Sequence, residues 1–358
     1  MLYREAGQFK TSYVADQAIF PLLQDRIGIL VILIVAFVFI PLTASNFVLS
    51  SIMIPFLIFA LATIGLNILT GYAGQLSLGT GAFMGVGAYA CYKLTTIFPD
   101  ANVIVLVLAS GFFAAAIGVV FGLPSLRIKG FYLAITTLAA QFFLEWAFIR
   151  IGWLYNYNPS GAIEVPRRMV MDVAVTGASA TPLTRYLVVL AIVVGLTWLA
   201  SNLVRGRIGR SWMMVRDMDI AAELMGIRML RTKLLAFAVS SYYCGVAGAM
   251  LVFFWYGAAE PSAFSIRVSF LVLFMVIIGG LGSLMGSFMG AAFISSLPVV
   301  LRYLADALGV RLGAATIEHI TVMLIGVLIV GFLIAEPHGL ARLWQIAKQK
   351  LRVWPFPY

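Results

Sequence analysis

The chain has 358 residues, of which 62% are hydrophobic and 11% charged, with a formal net charge of +10. This composition excludes a soluble globular domain and indicates an all-α, polytopic helical membrane protein. The positive charge gathers in short segments between apolar runs, where lysine and arginine mark the cytoplasmic face, so it is not a nucleic-acid footprint.

Residues 1–26 are mixed and polar, reading as a cytoplasmic tail, and precede an apolar run from Ile27 to Ala44. The long polar leader and Leu42, a poor residue three before a cut after Ala44, favour an uncleaved first span over a signal peptide. Phe47 to Thr70 is long enough to cross, with a kink expected at Pro55.

The next stretch, Gly65 to Ala90, reads GLNILTGYAGQLSLGTGAFMGVGAYA. Each glycine inside a helix costs about 1 kcal/mol relative to alanine. Gly71, Gly74, Gly79, Gly81, Gly85 and Gly87 stand close together with Gln75, Ser77 and Thr80. A plain lipid-facing span does not look like this; the composition fits close helix contact or a broken segment lining a solute pathway.

Val103 to Leu123 returns across the membrane to PSLRIKG, where Arg127 and Lys129 argue for the cytoplasmic side. Phe131 to Ile149 follows, and its Thr136, Thr137, Gln141 and Glu145 form a polar stripe expected to face the bundle interior. Residues 151–184 form the longest outer loop, and Tyr186 to Val204 comes back.

Residues 205–233 carry seven basic side chains against Asp217, Asp219 and Glu223, which places them in the cytoplasm. Within them SWMMVRDMDIAAELMG reads as one short amphipathic helix, with Met214, Met218, Ala221 and Met225 on one face and Gly226 as a left-handed C-terminal cap. Such a face suits a groove on a soluble partner or a lipid surface, and its acids argue against lipid.

Leu234 to Tyr256 crosses outward. Val268 to Leu301 would measure about 51 Å as one helix, against a hydrocarbon core of about 30 Å, so it must break, most simply at GGLGSLMG, Gly279 to Gly286. Ile317 to Ala335 is the last span, and the tail 336–358 carries Arg342, Lys348, Lys350 and Arg352 with no acid after Glu336. Counting the broken run as two crossings gives ten membrane segments within 27–335 and both termini in the cytoplasm.

Gly74 to Gly85 laid over Gly279 to Gly290 matches at Gly74/Gly279, Leu76/Leu281, Gly81/Gly286, Phe83/Phe288, Met84/Met289 and Gly85/Gly290. This echo predicts two equivalent broken elements in pseudo-symmetric halves, where substrate paths tend to lie. Both elements also carry small-xxx-small spacing, which fits tight helix packing alone. On this reading Gly74, Gln75, Ser77, Thr80, Gly81, Thr137 and Gln141 line a pathway, with Gly279, Gly280, Gly282 and Gly286 in the second element. Glu145, or Glu318 with His319, is either a buried proton carrier or an interfacial charge near a span end.

Cys91 and Cys244 both fall inside apolar runs and read as core thiols, with no metal-ligand spacing. No GxxxxGK(S/T) sequence occurs, so no cofactor is expected on this chain and any nucleotide energy comes from a partner.

Five motifs in order, GLNILTGYAGQLSLGTGAFMGVGAYA, LRIKGFYLAITTLA, GRIGRSWMMVRDMDIAAELMGIRMLRTKLLAFAVSSYYCGVAGAM, MVIIGGLGSLMGSFMGAAFI and EPHGL, resemble the branched-chain amino acid ABC transporter permeases, M-type subunit. The resemblance covers Gly65 to Leu340. It implies a bacterial inner-membrane permease that pairs with an H-type permease, two cytoplasmic ATPases that hold the ATP, and a periplasmic binding protein. It further implies that Asp219, Ala221, Ala222, Glu223 and Gly226, with neighbouring Arg216, dock onto an ATPase. Thr80 stands where the family has histidine in a GHG triplet, the outer-loop glycine motif is reduced to PSGAIEVP around Gly161, and residues 1–26 are longer and more polar than the family pattern. Relatives of this type import urea, short amides or aromatic acids as well as amino acids. A proton-driven secondary transporter, or a channel or scaffold, is the rival of another class.

Overall fold

A computed structural model describes residue 12 and residues 23–125, 132–170, 173–177, 179–307, 313–336 and 338–353. The Arg127/Lys129 loop and the Glu318 side chain lie outside the described residues. Inside a bilayer only intrahelical bonds satisfy the backbone of a single segment, so every apolar run becomes a helix.

Helix α1 (residues 23–43) holds a π-turn at Val35–Phe39 and buries none of its membrane window. Helix α2 (Asn46–Tyr72) follows after two residues. The disturbance expected at Pro55 is a π-turn over Leu49–Met53, just upstream, because proline leaves the helical ladder one donor short. A second π-turn, Ile68–Tyr72, ends α2.

The remaining apolar helices are α3 (Thr80–Ile97), α4 (Val103–Ser125), α5 (Tyr132–Arg150) and α6 (Pro182–Arg205). Helix α6 starts earlier than hydropathy implies: Thr181 Oγ1 accepts the Thr184 N–H at 3.3 Å and Pro182 takes the first helical position. Two loop helices, α7 (Arg207–Asp217) and α8 (Asp219–Leu224), precede α9 (Met229–Tyr256). After them come α10 (Ile266–Gly279), α11 (Leu284–Ala307), α12 (Ala314–Ala335) and α13 (Gly339–Val353).

Eight of these helices are long and apolar enough to span a membrane. Helix α3, diluted by glycine and Lys93, and α12, whose apolar part is the shorter His319–Phe332, stand where the sequence places the other two segments. The only strands among the described residues are four two-residue pieces in two antiparallel pairs. β1 (Ile163–Glu164) pairs with β4 (Ala258–Ala259), and β2 (Met169–Val170) with β3 (Val173–Ala174). The fold is therefore an all-α bundle.

Helix α9 is the centre of the bundle, packed on α2, α3 and α4, while α11 packs on α2 and α10. Glycine makes that approach possible: a Cβ at Gly87 would overlap the Gly245 backbone, and one at Gly248 the Met84 carbonyl. Both cysteines are buried there as free thiols.

The chain alternates between two ends. At one, Lys93 donates to Asn156 Oδ1 and lies 4.3 Å from the Trp153 ring centre, Arg168 donates to the Thr95 carbonyl, and β1 meets β4. At the other, the end of α2, the α7–α8 pair, the α10–α11 turn and the start of α13 come together.

Candidate functional site

Both glycine-rich elements are helix breaks. Between α2 and α3 the chain is non-helical over residues 73–79, and between α10 and α11 over 280–283. The echo holds in register: Thr80, which opens α3, aligns with Met285, one residue from the start of α11 at Leu284. Gly74 (φ +68°) and Gly280 (φ +114°) adopt backbone conformations that L side chains rarely enter.

A helix that begins inside a bundle leaves its first N–H groups without partners. Side chains from two other helices supply them for α3. Thr137 Oγ1 accepts the Leu78 N–H at 3.0 Å, Ser269 Oγ the Gly81 N–H at 2.7 Å, and Gln141 Oε1 the Ala82 N–H at 2.8 Å. Gln141 Oε1 also accepts from Ser269 Oγ at 2.9 Å, and its Nε2 donates to the Phe264 carbonyl at 2.8 Å. Thr137 and Gln141 are completely buried, so the interior half of the α5 polar stripe is real, while Thr136 and Glu145 are only half-buried. The hydrogen bonds of Thr137 are committed to backbone, and those of Gln141 to backbone and the Ser269 hydroxyl.

Gln75 is different. It is buried, and among the described residues neither side-chain amide atom has a partner. Ser77 is buried with its Oγ accepting the Gly79 N–H at 3.4 Å, and Thr80 is buried at the first turn of α3. A buried amide left unpaired costs about 1–3 kcal/mol, and Gln75 bears that cost with both of its amide atoms.

Asn67 ties the two breaks together. From within α2 its Oδ1 accepts the Gly282 N–H at 2.9 Å, and its Nδ2 donates to the Ser283 carbonyl and Ser287 Oγ, each at 2.9 Å. Gly71 and Gly282 approach so closely that a Cβ on Gly71 would strike the Gly282 backbone. In the second element the small-residue reading holds as well: Gly279 packs on the Gly286 carbonyl, and Gly286 on Gly279. Asn67, Ser269 and Ser283 were missed by motif reading; the available signal was a lone amide or hydroxyl in an otherwise apolar run.

Arg216 meets both breaks from the loop side. Its Nη1 donates to the Gly71 carbonyl at 2.7 Å, and its side chain lies against Gly74 and beside Gly282. Its Nε donates to Asp217 Oδ1 at 2.8 Å, which holds the Asp217 carboxyl below the usual carboxylate range. Trp212 anchors α7, completely buried, with Nε1 donating to the Thr232 carbonyl at 3.0 Å.

The single amphipathic helix expected over this stretch is instead two. Met218 is extended (φ −151°, ψ 93°), and the chain restarts at Asp219, whose Oδ1 accepts the Ile220 N–H at 2.8 Å. An aspartate's short acceptor side chain competes for backbone N–H groups, which favours a helix start over a helix interior. Gly226 has φ +86°, as expected of its cap, and its N–H donates to the Glu223 carbonyl at 2.9 Å. Ala222 is buried and Ala221 half-buried, while Asp219 and Glu223 are exposed. Met218, Ile220, Leu224 and Met225 are between 65% and 85% exposed, a cluster of apolar side chains facing away from the bundle.

Eight helices long and apolar enough to span a membrane, two facing helix breaks and a loop helix bonded to their junction define a multi-pass membrane protein. Residues 48–333 match the family described as branched-chain amino acid transport system / permease component, and the chain belongs to that family. Among its relatives is the high-affinity branched-chain amino acid transport system permease protein LivM of Escherichia coli (strain K12), 31% identical over 250 residues. The protein of the same name from Salmonella typhimurium (strain LT2) is 32% identical over 250 residues. Each alignment covers 63% of this chain and 57% of the relative, so the chain spans under two thirds of the length of the curated relatives it matches. No solved structure matches the chain.

Proposed function

We propose that this chain is the membrane-spanning subunit of an ATP-driven importer of branched-chain amino acids in the bacterial inner membrane. The breaks at residues 73–79 and 280–283 are the moving seam of the pathway, and Gln75 is the side chain in it that meets the solute. ATP is bound and hydrolysed on separate cytoplasmic subunits that dock on α7–α8. A second, H-type permease and an external binding protein complete the assembly. The basic content of residues 205–233 and of the tail supports an orientation with both termini in the cytoplasm and 151–184 outside.

The observation that carries this reading is Arg216: one residue of the loop that offers exposed Met218, Ile220, Leu224 and Met225 also touches both helix breaks. Motion imposed on the loop by a soluble partner therefore reaches the pathway without a long relay. Substrate choice among branched-chain amino acids, urea, short amides and aromatic acids rests on the relatives' names and favours the first. The test is co-purification from membranes followed by uptake of radiolabelled leucine into vesicles. ATP-dependent, saturable uptake with an associated ATPase is expected. Uptake that survives ATP depletion but collapses with an uncoupler would establish a proton-driven transporter instead.

A further inference from the structure

The last helix, α13, is absorbed neither by the pathway nor by the ATPase-docking loop. Its sequence is GLARLWQIAKQKLRV. At helical spacing Leu340, Leu343, Trp344, Ala347 and Leu351 fall on one side, and Lys348 and Lys350 flank that side. Arg342 and Arg352 add to the same helix, and no acidic residue follows Glu336. The contrast with α7–α8 is chemical: there the exposed apolar side chains are interleaved with Asp217, Asp219 and Glu223, whereas α13 holds no acid of its own, its Arg342 pairing with Glu336 just before it at 3.3 Å.

The helix is fixed in place. It begins three residues after the last span ends, and Ala341 is buried against the bundle. Beyond this first turn the apolar side remains open, with Leu343 46% and Trp344 45% exposed. A tryptophan and a leucine on the open side of a basic helix, held at the point where the chain leaves the membrane, match the interfacial boundary between acyl chains and headgroups.

We infer that α13 is a lipid-binding surface that lies in the plane of the inner leaflet, its apolar side in the bilayer boundary and its lysines on anionic phospholipid headgroups. The same turn supports the second helix break. A Cβ at Gly339 would stand 2.7 Å from the Gly280 nitrogen, and one at Gly280 would stand 2.6 Å from the His338 carbonyl. Lipid contact along α13 is thus continuous with the backbone of residues 280–283.

The experiment uses the full chain in lipid discs, with nitroxide labels at Leu343→Cys, Trp344→Cys or Gln349→Cys in turn; native Cys91 and Cys244 are buried. Collision accessibility to oxygen and to a water-soluble nickel chelate is read in phosphatidylcholine discs and in discs with about one third phosphatidylglycerol. The expected result is lipid contact at 343 and 344, water exposure at 349, and stronger contact in the anionic discs. Lys350→Gln is expected to lower the docked-to-undocked ratio about fivefold, the factor for one charge. Raising salt to 1 M should act in the same direction. Water exposure at both 343 and 344, contact indifferent to lipid charge, or protection that appears only when soluble ATPase subunits are added would each overturn the proposal. None of these readings depends on transport, so failure here leaves the proposed function standing.

Discussion

Arg216 Nη1 and the carbonyl oxygen of Gly71 are 2.7 Å apart, although 145 positions separate the two residues in the sequence. The bond joins a loop helix outside the apolar bundle to the last turn of α2, next to the point where that helix gives way. A charge-assisted hydrogen bond of this kind contributes about 1.5–3 kcal/mol when shielded, and less here because the Arg216 side chain is 37% exposed. Its importance lies in where it connects.

Arg216→Ala removes that connection without touching Trp212, which anchors α7, or the exposed apolar cluster of α8. ATPase association is expected to persist while leucine uptake per ATP hydrolysed falls about tenfold, the factor that corresponds to about 1.4 kcal/mol of lost coupling. Co-purification and uptake measured on the same preparation check both halves.

Asn67→Leu leaves the Gly282 N–H without its acceptor inside the bundle, while Ser287 Oγ keeps its bond to the Ser283 carbonyl at 3.3 Å. At about 1–3 kcal/mol for a buried group left unpaired, the variant should be less stable by about that amount. Thermal unfolding in detergent is expected to show a clear fall in the midpoint, and an unchanged midpoint would mean that the two breaks are not held together here.

Gln75 and Gln141 are predicted to respond in opposite ways. Gln141→Leu strips the Ala82 N–H of its acceptor and the Phe264 carbonyl of its donor, so it lowers thermal stability and, with it, every activity. Gln75→Leu removes an amide that has no partner among the described residues, so stability should hold or rise by about 1 kcal/mol while uptake falls. A thermal scan beside an uptake curve separates the two.

Gly280→Ala places a Cβ at φ +114° and 2.6 Å from the His338 carbonyl. The strain is about 1–3 kcal/mol before any clash is relieved. Reduced stability is expected, together with release of the first turn of α13, read as faster protease cleavage after residue 338.

Much of the fold is written locally. Nine runs become ten helices, Val268 to Leu301 supplying two, and the two glycine clusters become the two breaks, because both signals act within a few residues of their cause. The Gly226 cap is likewise local. What holds the breaks is not. Thr137 meets Leu78 from 59 positions away, and Ser269 meets Gly81 from 188, so no spacing rule links them. The same holds for Asn67, whose partners lie beyond position 279. The division at Met218 was hidden for another reason: methionine carries no helix-breaking chemistry, and the restart belongs to Asp219 beside it.

The most direct test of the central claim, that the two glycine breaks open to opposite sides of the membrane in turn as ATP is consumed, is thiol labelling at Gln75→Cys and Ser283→Cys in oriented vesicles with the partner subunits bound. The account predicts that a membrane-impermeant reagent reaches both positions from one side in the nucleotide-free complex and from the other when ATP is trapped. Labelling from the same side at the same rate in both states would contradict it.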